Sequence, residues 1–150
     1  MKIGVADTTF ARVDMFKYAK KAVEDSGESV SIERYTVPGV KDLPLACKRL
    51  LKTCDIALAL GMPGAEDIDK QCAHEASLGL IQVQLQEEKH ILEVFVHLDE
   101  GDEKTVFKVT KDRVYKHAQN AIALLKGQTE LSKFAGKGKR QGFEDAREIK

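Results

Sequence analysis

The residues Ile56-Ala57-Leu58-Ala59-Leu60 form an unbroken apolar run of strand length that stops at Gly61-Met62-Pro63-Gly64. A strand with no polar side chain on either face must be covered on both, the condition of an inner strand of a parallel sheet lying between helices. Other segments of matching length surround it. Ile3 to Ala6 is a second short apolar run, and Ile91 to Val96 reads as another strand. From Ser29 to Val37, Val30 and Ile32 alternate with Ser31 and Glu33, as in a half-exposed strand at a sheet edge. Helical spacing fills the gaps. It runs from about Ala11 to Asp25, with Asp7-Thr8-Thr9 expected to cap it, then from Leu43 to Lys52, Asp67 to about Glu87, and about Thr105 to Leu125. The alternation βαβαβαβα predicts an α/β fold, a parallel sheet joined by right-handed crossovers.

The chain has 150 residues, enough for one domain that buries about 70% of its unfolded surface. No Pro-, Ser- or Gln-rich linker divides it, so residues 1–150 are expected to be a single domain, with the glycine- and lysine-rich stretch 127–150 as a C-terminal arm. The 24 basic and 24 acidic residues cancel, so no global field argues for nucleic acid or a membrane surface. Cys47, Cys54 and Cys72 are odd in number and form no C-x-x-C pair, which suits a reducing cytoplasm. Neither a signal peptide nor an apolar run of roughly 18 residues is seen.

In open parallel sheets, ligands bind beyond the carboxyl ends of the strands, where the chain order reverses. Three such ends carry unusual sequence: Thr9-Phe10-Ala11, Pro38-Gly39-Val40-Lys41-Asp42, and Gly61-Met62-Pro63-Gly64. Pro38 fixes its own φ, Gly39 relaxes the next, and Pro44 suits a first helical turn, so the second segment is a rigid turn that presents Asp42 at a helix start. Asp42 is placed either to accept hydrogen bonds from ligand hydroxyls or to cap that helix. Phe10 is placed either to stack on a flat ring or to pack as a core aromatic. His74 and His97 are acid–base candidates, imidazole being the side chain that exchanges protons near neutrality. Cys72-Ala73-His74-Glu75 offers half of a metal site with no second half, so no metal is assigned. The glycines at 136, 138 and 142 match neither the dinucleotide fingerprint nor the phosphate loop.

Val37-Pro38-Gly39-Val40-Lys41-Asp42-Leu43-Pro44 resembles the Val-Pro-Gly-Ala-Phe-Glu-Ile-Pro stretch of lumazine synthases. Asp7 to Met15, Ala59 to Gly64, Cys72 to Leu80 and Gly136 to Ala146 are more similar still to the archaeal type of riboflavin synthase. That resemblance implies a flavodoxin-like, four-stranded parallel sheet of order 2-1-3-4, in a homopentamer with active sites between subunits. It implies the dismutation of two molecules of 6,7-dimethyl-8-ribityllumazine into riboflavin and 5-amino-6-ribitylaminouracil, the last step of riboflavin biosynthesis. No organic cofactor is implied, and a divalent cation such as magnesium is the one addition left open. Phe10 matches the aromatic that stacks on the pteridine, and Asp42 stands where the family glutamate binds the ribityl chain. Thr9, Ala11, Pro38 and Gly61 border this binding stretch, while backbone groups of Gly39, Val40 and Lys41, and of Met62, Pro63 and Gly64, line it. His74, Lys41 and Asp42 are the acid–base candidates.

The departures carry information. Lumazine synthases follow their third strand with a glycine-acid-threonine phosphate loop and a histidine just beyond. Here Ala65-Glu66-Asp67-Ile68-Asp69 stands instead, and acids without a hydroxyl would repel a sugar phosphate. The alternatives to riboflavin synthesis are lumazine synthase itself and a non-catalytic flavin-binding or receiver module. A receiver needs an aspartate at the end of strand 3, where this chain has glycine.

Overall fold

The computed structural model describes residues 1–150. Four parallel strands, β1 (Lys2–Thr8), β2 (Ser31–Val37), β3 (Ile56–Gly61) and β4 (Ile91–Phe95), lie in the order β2-β1-β3-β4. The helices are α1 (Phe16–Ser26), α2 (Leu43–Leu50), α3 (Asp67–Glu87) and α4 (Glu103–Lys126). The expected strand order and the edge position of the second strand are both observed.

The sheet is covered unequally, and β3 shows why. Ile56, Leu58 and Leu60 face one way and pack with Met15, just before α1, with Ala19 and Ala22 of α1, and with Val114, Ala118 and Ile122 of α4. Ala57 and Ala59 face the other way, against Leu43, Cys47 and Leu50 of α2 and Leu80 and Val83 of α3. Small residues on that face let α2 and α3 settle close to the sheet, which brings the first turns of both over the strand ends. Burial of Cys47 pushes its thiol up to about 12, so it packs as a small apolar residue.

The first strand and first helix differ from the expected boundaries. The strand continues through Thr8, and the helix begins at Phe16 instead of Ala11. Asp7 does not cap the helix, because its buried carboxylate accepts from Arg34 Nη2 at 2.6 Å, Arg34 Nε at 3.1 Å and Thr36 Oγ1 at 2.6 Å on the neighbouring strand. Backbone pairing then runs past the strands, with Thr9 N–H donating to Val37 O at 2.9 Å and Phe10 N–H to Pro38 O at 3.2 Å. At the other end of the chain, Asp102 caps α4 by accepting from Thr105 N–H at 2.8 Å, which starts that helix two residues before Thr105. The arm beyond Lys126 turns back on α4, where Gly142 N–H donates to Asp112 at 2.8 Å. No helix is long and apolar enough to cross a membrane.

Candidate functional site

The carboxyl ends of β1, β2 and β3 and the first turns of α3 enclose a cavity of about 240 Å³. Its walls bring together Phe10, Gly39, Val40, Lys41, Asp42, Pro63 and Gly64, all expected from the sequence, and add Asp69 and Cys72. Because β1 lies between β2 and β3, the loops after all three strands open on one side of the sheet, at the reversal of chain order.

The polar groups here are fixed by partners within the chain. Asp42 Oδ2 accepts from Gly39 N–H at 3.3 Å while Asp42 N–H donates to Gly39 O at 3.1 Å, closing a one-turn 3-10 helix over Val40–Asp42. Only one carboxylate oxygen is used, so the other is available to a ligand. Lys41 Nζ lies 2.9 Å from Glu75 Oε2 of α3. That hydrogen bond raises the lysine and lowers the carboxylate from their ordinary values, keeping both charged. Asp69 Oδ2 accepts from Glu66 N–H at 3.1 Å and so occupies the N-terminal end of α3.

Two glycines make the enclosure fit. A Cβ on Gly61 would stand 2.8 Å from both Phe95 Cε1 and Val40 Cγ1. One on Gly64 would stand 2.7 Å from Asp69 Cγ and closer to Oδ2. Phe10 is 56% exposed at the mouth, so its ring serves no core.

The remaining candidates are placed as follows. Thr9 and Pro38 lie just outside the walls and are joined by Thr9 Oγ1 donating to Pro38 O at 3.3 Å, with Ala11 beyond them. Gly61 sits behind Val40. Met62 is fully buried and its side chain turns to the opposite face of the sheet, where its sulfur accepts from Arg12 N–H and it lines a separate cavity with Val13, Leu98 and Val106. His74 is exposed on α3 and is not among the cavity walls. His97 follows β4, and its Nδ1 is buried with no hydrogen-bond partner. No three His, Cys, Asp or Glu side chains gather as a metal-holding group.

Asp69 was open to detection in the sequence, since Glu66 followed three residues later by an acid is a helix-start pattern. Cys72 follows it by three residues, on the same helical face, a relation visible only once the helix start is fixed.

The family model for 6,7-dimethyl-8-ribityllumazine synthase matches residues 1–128. Among curated relatives, the riboflavin synthase of Methanothermobacter thermautotrophicus is 51% identical over 97% of this chain and 97% of its own length. That of Archaeoglobus fulgidus is 47% identical over 97% and 96% of the two chains. A 6,7-dimethyl-8-ribityllumazine synthase of Tropheryma whipplei is 40% identical, over 49% of this chain and 47% of its own length. With the strand order and the cavity at its reversal, these matches place the chain in the 6,7-dimethyl-8-ribityllumazine synthase family, on the side of its archaeal riboflavin synthases.

Proposed function

We propose that this protein is a riboflavin synthase, a transferase that moves a four-carbon unit between two molecules of 6,7-dimethyl-8-ribityllumazine to give riboflavin and 5-amino-6-ribitylaminouracil. The observation that carries the reading is the span of the likeness. Relatives named riboflavin synthase match essentially the whole chain, including the arm beyond the last residue of the lumazine synthase model at 128. The N-terminus of α3 supports the same choice. An anion is ordinarily welcome at such a helix end, but here Asp69 accepts the Glu66 N–H itself, with Glu66 and Asp67 alongside. A sugar phosphate, which lumazine synthesis requires, would meet three carboxylates, whereas ribityllumazine carries no phosphate.

In this reading the exposed ring of Phe10 stacks on the pteridine, and the backbones of Gly39 to Lys41 and of Pro63 and Gly64 border it. The free oxygen of Asp42 accepts hydrogen bonds from the ribityl hydroxyls. The 7-methyl group is a carbon acid, because the electron pair left when its proton departs spreads over the pteridine. Lys41 is held charged by Glu75, so it stabilises that negative ring better than it takes the proton. Asp42 remains the candidate to carry the proton in this cavity, since His74 is not among its walls.

A cavity of about 240 Å³ is smaller than one drug-sized ligand needs, and two substrates must meet face to face. A second copy of the chain therefore supplies the remaining walls, in keeping with a homopentamer whose sites lie between subunits. Holding two rings in opposed orientation is worth about 7–11 kcal/mol of barrier, and no organic cofactor is required. Purified protein given the lumazine alone, with magnesium present, is expected to form riboflavin, read by its absorbance and fluorescence. Absence of riboflavin under those conditions refutes the assignment, and a monomeric mass in solution refutes the shared site.

A further inference from the structure

On the opposite face of the sheet from the proposed active site, α1 and α4 border a surface groove of about 770 Å³. Lys17 of α1 and Lys104, Lys108 and Lys111 of α4 line it together with Lys21 and Asp112, each of which is held in an ion pair, over a floor that includes Tyr18 and Phe107.

Lys17, Lys104, Lys108 and Lys111 differ from the rest. Every other lysine before Gly127 has a partner. Lys2, Lys20, Lys21, Lys41, Lys52, Lys70, Lys116 and Lys126 each meet a carboxylate, Lys48 donates to Gln86, and Lys89 donates to the carbonyls of Leu51 and Cys54. These four have none, although acids lie close by. Those acids are already engaged: Asp25 with Lys21 and Tyr115, Asp112 with Lys116, Glu24 with Lys20, and Glu103 with Arg12. Among the lysines before Gly127, the four without a partner thus gather in one concave place.

The floor steadies two of them, Lys17 and Lys111. Lys17 Nζ lies 5.5 Å and Lys111 Nζ 5.9 Å from the centre of the Tyr18 ring, and Lys111 also lies 5.4 Å from that of Phe107. Tyr18 and Phe107 meet edge to face with centroids 6.4 Å apart, so the ammonium groups are steadied over a fixed pair of rings. Along α4 the spacing from 104 to 111 carries positive charge over about 10 Å, with Lys17 facing it from α1. The cations are all lysine, a compact point charge that suits phosphate oxygens in varied geometry. No arginine lines the groove, so recognition there rests on summed point charge, which grows with the number of negative charges on the ligand.

We propose that this groove binds a condensed phosphate chain, either as inorganic polyphosphate or as the triphosphate of a nucleotide. The site is independent of the proposed activity, being built from the other helical layer.

The test is calorimetric titration of the intact protein with tripolyphosphate, ATP and AMP in low salt. Tripolyphosphate and ATP are expected to bind once per chain, at least about tenfold more tightly than AMP, and to weaken as salt is raised. Comparable binding of both assigns recognition to the phosphate chain, and a preference between them names the source. The variant Lys104→Gln/Lys108→Gln/Lys111→Gln should lose at least about tenfold in affinity while helix content by circular dichroism and lumazine turnover stay unchanged. A control, Lys2→Gln/Lys48→Gln/Lys52→Gln, removes the same charge from paired lysines and should bind as the parent does. Equal loss in both variants, unchanged binding in the first, or AMP binding as tightly as ATP overturns the proposal.

Discussion

The contact between Gly64 and Asp69 yields a prediction whose sign depends on a second residue. Gly64→Ala is not opposed by backbone conformation, since Gly64 does not lie in the left-handed region, so its cost must come from what the new methyl meets. It would meet the Asp69 carboxylate, which would have to swing off the Glu66 N–H that it now accepts at 3.1 Å. Losing a helix-start hydrogen bond costs about 1 kcal/mol, and moving the charge off the helix dipole adds about 0.3–1 kcal/mol. Against this, alanine narrows the unfolded ensemble by about 0.4–1 kcal/mol. The net expectation is a loss of about 1 kcal/mol. In an Asp69→Ala background the carboxylate is absent, the methyl has room, and the same substitution should be neutral or stabilising by up to about 0.5 kcal/mol. Urea unfolding of all four proteins at one fixed protomer concentration measures the cycle. Equal cost of Gly64→Ala in both backgrounds would show that the carboxylate does not set the glycine requirement.

Three further perturbations probe other parts of the molecule. Asp42→Ala should raise KM for the ribityl compound by at least about tenfold through loss of charge-assisted hydrogen bonds, and unchanged steady-state parameters would remove Asp42 from the binding role. Asp7→Asn weakens the tie between β1 and β2 and should cost about 1–3 kcal/mol in denaturant unfolding, whereas a helix-capping role would leave the Arg34 and Thr36 contacts irrelevant, so Arg34→Met should share the loss. Glu93 is raised by burial on β4, with the Ser77 hydroxyl offsetting part of that effect. A carboxyl whose folded value is raised makes the native state the stronger proton binder, so its penalty is full above the folded value and vanishes below the unfolded one, near 4.3. Glu93→Gln should therefore stabilise at pH 7 and lose that advantage as pH falls to about 4, and a gain that persists at low pH would contradict burial as the cause.

How far the sequence leads depends on the range of the forces involved. The apolar run Ile56–Leu60 and the helical spacing from Asp67 to about Glu87 are local signals, and β3 and α3 lie where those signals place them. The end of β1 is set by a nonlocal one. Asp7 looks like a helix cap until Arg34 and Thr36, nearly thirty residues on, are seen to claim its carboxylate. Within the site, the loops were legible because proline and glycine restrict or free the backbone wherever they occur. The side of the sheet to which each loop residue turns was not. Met62 stands between Gly61 and Pro63 in sequence, yet its side chain lines another cavity, since successive residues leaving a strand point to opposite faces. His74 lies only two residues beyond the cavity-lining Cys72, but that interval carries it to the exposed face of α3.

The candidate site has few side chains free to act, and this bears on how it works. Asp69 is held by the start of its own helix, Lys41 is held by Glu75, and Asp42 keeps one oxygen in its own turn. Each group is thus already partnered, and a site composed of such groups offers little free acid or base beyond the second oxygen of Asp42. It gains from fixed dipoles and fixed walls, which need no rearrangement when charge develops on a bound ring. The reaction proposed here fits that economy, because the pteridine itself stabilises the carbanion and the protein's task is to oppose two rings. The chain's own contribution is thus orientation, set by three rigid strand ends whose spacing follows from the order β2-β1-β3. Loosening any one of them, as Gly64→Ala does through Asp69, should lower kcat more than it raises KM, because the loss falls on alignment of the rings and not on their affinity.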